Sequence, residues 1–373
     1  MGQLARQLRR KRSGFDSLLL YITILAALMG LVAVYSATLS YGSITNILVQ
    51  CGAFLVGTAL MIALSFFDYE QYNLLVIPIF LVSIFLLVLV LLIGTGTDEW
   101  GAKSWIRFGP IGIQPAEIAK VGFIITFSYH LDRVSKKINR LTALLGLFVH
   151  LAVFLGLILM QPDAGSAMVF CFIFIVLLFA AGLSFKYIIP ALVLGAASLP
   201  LIYKFVLSPF QRHRIDVFFN PDLDPLGNGY NVIQSRIAVG SGRLFGKGYL
   251  AGTQNQLGFL PAKHTDFIFS TIAEEFGFVG AVVVAAVLFI IIWRCFTVSA
   301  RSANGFGRYI AAGTGAMLLF HSFENIGMCI GLMPVTGIPL PFFSYGGTSM
   351  LTNLIAIGLV LSVSRRNKGS MYI

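Results

Sequence analysis

Charged side chains are scarce in this sequence. Only 11% of its 373 residues are Asp, Glu, Lys or Arg, whereas soluble domains carry roughly 25%. That deficit excludes an ordinary soluble fold, because most of the chain cannot face water. Cysteine is nearly absent, and Cys51, Cys171, Cys295 and Cys329 all lie in or beside apolar runs. None has CxxC or zinc-type spacing, which argues against a disulfide framework and a structural zinc site. There is no HExxH, no nucleophile elbow and no Cys/His pairing. The run from Gly240 to Gly248 resembles a phosphate loop but fails its pattern. Ser241 stands where a Gly is required, and Gly248 where Ser or Thr must follow the Lys.

Apolar residues take the share that charge leaves. They form 57% of the chain, with 33 Phe and 38 Gly, a mixture suited to helices that pack in lipid. A span needs about 20 mostly apolar residues. Ten such runs are legible, at 17–37, 47–67, 73–94, 115–132, 141–160, 166–183, 187–207, 268–293, 309–332 and 346–364. The expected fold class is an all-α polytopic integral membrane protein, a single membrane domain over 1–373. The first run follows basic residues, as a signal peptide would. Its apolar core is too long for one, so it reads as a retained anchor.

Lys and Arg orient the set. With the amino terminus in the cytoplasm, that face collects 16 of the 26, among them Arg6, Arg9, Arg10, Lys11, Arg12, Arg133, Arg294 and Lys368. This is the positive-inside pattern, and it puts both termini in the cytoplasm. Much of the net charge of +11 is then a topology signal and an attraction to anionic lipid. Nucleic-acid binding is excluded as its explanation.

Two outer connections are long, 95–114 and 208–265. Loops of the second length are functional or disordered. Val232, Ile233 and Ile237 recur near helical spacing, so short helices are expected within it. The loop also holds Arg212, Arg214, Arg236, Arg243, Lys247 and Lys263. Positive charge kept against the topology rule suits an anionic ligand such as a pyrophosphate. An ordinary solvated loop face is the competing reading for some of them.

Ionisable groups at membrane depth are functional candidates by default. Glu117 and Lys120 follow Pro115 at i, i+3 spacing, which puts them on one helix face. They suit either self-neutralisation or a phosphate site. Asp163 can cap the sixth span or act in a site. Glu274, Glu275 and Glu324 fall inside spans, and at least one carboxylate among these four is expected to serve packing. Asp266 stands where the long loop meets the eighth span. It reads equally as a helix cap and as a half-buried base. His264 reads as an orienting or solvated residue.

Near its carboxyl end the chain runs NIGMCIGLMPVTGIPLPFFSYGGTS, from Asn325 to Ser349, a helix end followed by Pro/Gly-broken backbone. Broken backbone at that depth persists only where protein or a cavity satisfies it. The stretch resembles the signature of the bacterial shape, elongation, division and sporulation (SEDS) family. Further matching pieces lie in order along nearly the whole chain. They are Trp105 with its Gly-rich surround, Gln114-Pro-Ala-Glu117-Ile-Ala-Lys120, Gln161-Pro-Asp163-Ala-Gly165, and His264-Thr-Asp266-Phe-Ile-Phe with Ala273-Glu-Glu275. Gly252-Thr-Gln254-Asn-Gln256-Leu before Leu260-Pro resembles the elongation members.

The resemblance implies a peptidoglycan glycosyltransferase that polymerises lipid II on the outer face of the cytoplasmic membrane. It implies a class B penicillin-binding protein, a transpeptidase, as partner within the elongation machinery. Asp266 carries over as the essential acidic residue. Glu117, Lys120, Arg212, Arg214, Arg243 and Lys263 become candidates for the pyrophosphate. Asp163, His264, Glu275 and Ser344 become a supporting polar network. A divalent cation, Mg2+ or Mn2+, held between carboxylate and phosphate oxygens is compatible with this chemistry. A lipid flippase and a scaffold that only activates a partner synthase are the rival classes.

Overall fold

The structure is a computed structural model that describes residues 15–39, 44–96, 102–109 and 111–366. Arg6, Arg9, Arg10, Lys11, Arg12 and Lys368 lie outside the described residues, as do 97–101 and 110 of the first long connection. Ten helices of 17 to 34 residues dominate the described chain. The first five are α1 (Ser17–Leu39), α2 (Thr45–Phe66), α3 (Tyr72–Ile93), α4 (Pro115–Val134) and α5 (Leu141–Leu159). Two more follow, α6 (Ala164–Ala180) and α7 (Phe185–Leu201). Three short helices come next, α8 (Pro209–Phe219), α9 (Asn228–Ser241) and α10 (Thr253–Gln256). The last long ones are α11 (Ile268–Arg301), α12 (Gly305–Cys329) and α13 (Gly347–Arg366).

The ten long helices fall on the ten expected runs. The largest difference is at α11, which continues to Arg301, well past 293. Seven helical segments are long and apolar enough to cross a membrane, those built on α1, α2, α3, α5, α7, α11 and α13. Helix α6 is apolar but shorter, at 17 residues. Helices α4 and α12 are long enough but too polar.

That polarity is internal. Most of α4 and α12 is buried, including Glu117, Lys120, His321 and Glu324. The periphery carries exposed apolar groups instead, such as Leu55 on α2 and Leu74, Ile77 and Phe85 on α3. Apolar outside and polar inside is the arrangement that lipid favours and water penalises. Small residues set the close contacts. A β-carbon on Gly358 of α13 would stand 2.9 Å from the Met61 Cα of α2, so the two backbones meet almost directly.

The first long connection folds into a feature absent from the sequence reading, an antiparallel hairpin of β1 (Ile106–Phe108) and β2 (Ile111–Ile113). Its register pairs Ile106 with Ile113, Arg107 with Gly112 and Phe108 with Ile111. Thr348 Oγ1 at the start of α13 donates to Gly112 O (3.2 Å), and Gln114 N donates to Thr348 Oγ1 (3.3 Å).

The segment between α7 and α11 contains the expected short helices, α8 to α10. It is seated in a break of α11. Gly277 has φ 69° and ψ −164°, which interrupts that helix. The freed backbone groups pair with the segment itself. Lys247 N and Gly248 N donate to Glu274 O and Glu275 O (both 3.0 Å), while Phe278 N and Val279 N donate to Arg243 O (2.8 Å) and Leu244 O (3.1 Å). These four bonds satisfy polar groups that the break opens, which an apolar surround demands.

Candidate functional site

Residue 266 belongs to a tight turn that enters α11. The N-cap of α11 is Phe267, with no side-chain capping bond, so Asp266 does not serve as the cap. Its backbone is fixed instead. Asn325 Nδ2 on α12 donates to Asp266 O (2.8 Å) and to Ile338 O (2.8 Å). Ser344 Oγ donates to Thr265 O (2.6 Å) and accepts from Leu340 N (2.8 Å). Tyr345 N donates to His264 O (2.7 Å), and the two rings lie 5.4 Å apart. Residues 264–266 are therefore clamped against 338–345, the Pro/Gly-broken stretch.

The clamp leaves the Asp266 carboxyl facing a cavity of about 1530 Å³. Asp163, Arg214, His264 and Thr336 share its wall, together with Arg107 and Gln211. An apolar arm continues along Leu155, Leu159, Met168 and Leu199 of α5, α6 and α7. Burial raises the proton affinity of Asp266 above the usual aspartate range, while the Arg214 guanidinium and a bond from Thr265 oppose that rise. Burial and the neighbouring Lys263 charge lower His264 to about 4, so its ring is neutral near pH 7.

Arg214 on α8 is the cation next to Asp266. Its Nη1 donates to Val335 O (3.3 Å), and its guanidinium lies 4.6 Å from the Phe210 ring centre. Asp266 and Asp163 line the same cavity as Arg214 and favour its charge. Asp163 does two things at once. It caps α6, accepting from Ser166 N (2.9 Å) and Ser166 Oγ (2.8 Å), and it lines the cavity.

The other sequence-nominated residues lie elsewhere. Lys120 and Glu117 are 1% and 2% exposed. Lys120 Nζ donates to Glu117 Oε1 (2.6 Å) and sits 2.8 Å from His321 Nε2, inside the bundle. Arg212 turns its Nε to Leu207 O (3.0 Å). Arg243 is exposed, with φ 49°, beside the break in α11. Lys263 is buried and donates to Asn255 O. Glu275 accepts from Ser36 Oγ (2.5 Å) and Asn255 Nδ2 (2.8 Å). Glu274 accepts from Lys247 Nζ (2.7 Å), Gln254 N (2.9 Å) and Asn255 N (3.1 Å). The adjacent Glu274 and Glu275 thus moor the segment that carries α10.

Sequence reasoning did not nominate Arg107, Gln211 or Thr336 as site residues. Arg107 gave a signal, since it breaks the charge rule for outer connections. Gln211 and Thr336 gave none, because uncharged polar residues are common at helix starts and in broken segments. Among the described residues no group of three or more His, Cys, Asp or Glu side chains could hold a metal. A divalent ion here would need oxygens from a bound phosphate to complete its shell.

Fold and cavity together define a multi-pass helical membrane protein with a large, polar-ended cavity at one end of its bundle. The chain belongs to the FtsW/RodA/SpoVE family, described as cell cycle proteins, whose model matches residues 16–369. This bears out the SEDS resemblance. The chain is 37% identical to a probable peptidoglycan glycosyltransferase FtsW of Geobacter metallireducens, over 95% of this chain and 96% of that one. It is 35% identical to the peptidoglycan glycosyltransferase MrdB of Escherichia coli, over 96% and 97%. Among solved structures, it superposes with a TM-score of 0.79 on a chain from work titled "Structural coordination of polymerization and crosslinking by a peptidoglycan synthase complex" (30% identity, 95% and 98% covered). The rod shape determining protein RodA of Thermus thermophilus gives a TM-score of 0.69 (28% identity, 94% and 97% covered).

Proposed function

We propose that this chain polymerises lipid II into β-1,4 glycan strands on the outer face of the cytoplasmic membrane, with Asp266 as general base. The broader class is plain: the chain is a peptidoglycan glycosyltransferase of its family. The observation that carries the finer reading is the Asp266 carboxyl, released from capping and set beside Arg214 in the cavity wall. Small-ligand sites run to roughly 1,000 Å³, so a cavity of about 1530 Å³ suits a disaccharide-peptide with its pyrophosphate. The apolar arm suits the first isoprene units of a lipid carrier.

Asp266 takes the proton of the acceptor sugar 4-hydroxyl. That oxygen attacks C1 of the donor sugar. The bond from C1 to the pyrophosphate oxygen breaks from the opposite side, and an α-linked donor becomes a β-linked product. The leaving group departs with its charge already formed, so it needs a cation more than an acid. Arg214 is the guanidinium placed to supply it, and Arg107 lines the same cavity.

The sequence 252–261 supports service in elongation, as RodA does, while relatives carry both division and elongation names. A class B penicillin-binding protein is the partner that fits a synthase coupling polymerisation to crosslinking. The Lys/Arg asymmetry supports cytoplasmic termini. The test supplies lipid II to purified protein, with and without its transpeptidase. Asp266→Asn is expected to lower the polymer rate at least about a hundredfold. Normal polymer from that variant removes the base. Lipid movement without polymer from the wild type makes the chain a transporter instead.

A further inference from the structure

A second pocket, of about 400 Å³, lies between α1 and α11. Met29, Val32 and Ala33 of α1 face Phe276, Val279 and Val283 of α11 across it, and the buried Phe343 completes the lining. Val32, Val279 and Val283 are exposed, so the pocket opens on the apolar periphery of the bundle. It shares no lining residue with the cavity of Asp266.

Two polar contacts mark the depth of this pocket. At one end of the α1–α11 pair Arg294 binds Asp16 (2.6 Å), and at the other Ser36 Oγ donates to Glu275 (2.5 Å). From Asp16 to Ser36 is 20 residues, and from Glu275 to Arg294 is 19. A helix rises 1.5 Å per residue, so the contacts stand about 30 Å apart, the thickness of a bilayer's hydrocarbon. The pocket reaches Val284, nine residues beyond Glu275. That is a depth of about 14 Å, close to a single leaflet. Spread over that depth, the volume leaves a channel roughly 6 Å across, narrower than a partner helix of about 10 Å but wide enough for one hydrocarbon chain.

The rim of the pocket is residues 243–249. Leu244 O accepts from Val279 N (3.1 Å), and Tyr249 OH donates to Val32 O (3.2 Å). The Tyr249 and Phe276 rings lie 5.9 Å apart. Leu244 and Phe245 are exposed apolar groups, while Arg243 and Lys247 are exposed cations. The acids of this edge, Glu274 and Glu275, are buried behind the segment. Lys247 Nζ donates to Glu274 Oε1 (2.7 Å). An anion arriving from the lipid side therefore meets positive charge first. Arg243 does not line the cavity of Asp266, so its charge serves another purpose than the one its sequence context suggested.

We propose that this edge binds an anionic phospholipid of the leaflet on the Asp266 side, with one acyl chain in the pocket between α1 and α11 and its phosphate held by Arg243 and Lys247. Apolar burial favours the chain, and juxtamembrane cations favour the headgroup. A lipid seated this way ties 243–249 to α1 and α11, and so steadies the segment that carries α10. The site stands apart from the transfer reading and does not depend on it.

The test offers three ligands to the full chain, stripped of lipid in detergent, and reads binding by native mass spectrometry. They are phosphatidylglycerol, phosphatidylcholine and glycerol 3-phosphate, which has the phosphate without the chains. The wild type is expected to bind phosphatidylglycerol at least about fivefold more tightly than phosphatidylcholine, the factor one surface cation contributes. Arg243→Gln should weaken phosphatidylglycerol by about fivefold and leave phosphatidylcholine unchanged. Val283→Trp fills the pocket from its exposed side and should weaken both lipids by about fivefold or more. Equal affinity of the wild type for the two lipids, or no binding of either, overturns the proposal even if neither variant folds. Glycerol 3-phosphate binding as tightly as phosphatidylglycerol, or a folded Val283→Trp protein that binds like the wild type, removes the chain from the pocket and overturns it too.

Discussion

The carboxyl of Asp266 reaches the cavity because its backbone is held so well. Asn325 and Ser344 fix the turn by its carbonyls, which leaves the side chain to the cavity. At this scale the sequence could nominate but not decide. An Asp just before a helix is a good cap by type, and only the hydrogen-bond geometry shows that Phe267 occupies the cap position. The same holds for the cations. Arg212 and Arg214 are two residues apart on α8, so their side chains diverge, and only Arg214 reaches the cavity. A pH dependence follows. As the proposed base, Asp266 must be ionised to accept a proton, and its proton affinity is raised by burial. Activity should therefore fall with decreasing pH through a midpoint above the ordinary aspartate value of about 4. A kcat profile flat to below that value contradicts the assignment. Arg214→Ala should raise KM for the pyrophosphate-linked donor by about tenfold, measured in the same assay.

Helices were the legible elements, because a long apolar run in lipid has one backbone solution. The hairpin was not legible. Its strands have three residues each, too few to show alternation. The break in α11 was also hidden, since Gly277 sits in an apolar run like many other glycines of this chain. Its consequence is large. A β-carbon there would stand 2.3 Å from Gly246 N, at a φ that favours glycine. Gly277→Ala should cost about 2 kcal/mol or more. It should loosen 243–248 and show as a lower Tm in detergent and faster proteolysis of that segment. Unchanged Tm and cleavage would mean that the segment does not depend on the break. Glu274 and Glu275 supply the second mooring, and their identical type and adjacency gave no hint of which groups each would bind.

Over the whole molecule, charge is hidden where a soluble protein would display it. The Lys120–Glu117 pair is enclosed between α4 and α12, touching His321. Its spacing was readable, and its seclusion from the cavity was not, because the neighbour that encloses it lies 201 residues along the chain. Removing one partner strands a charge. Lys120→Met should destabilise the protein by about 3–5 kcal/mol, with the double variant Lys120→Met, Glu117→Gln recovering much of that loss. Thermal unfolding in detergent reads both. A double variant no better than the single one would deny that the stranded charge is the cause.

The clamp on Asp266 also fixes when the protein can begin to work. The turn at 264–266 gets its shape from Asn325 and Ser344, and Ser344 is itself gripped through its carbonyl by Gln50 of α2. A ribosome makes Gln50 first of the three, Asp266 much later and Ser344 later still. A nascent chain halted before Ser344 holds the proposed base but not the latch that shapes its turn, so the cavity wall around Asp266 is complete only once residue 344 has been added.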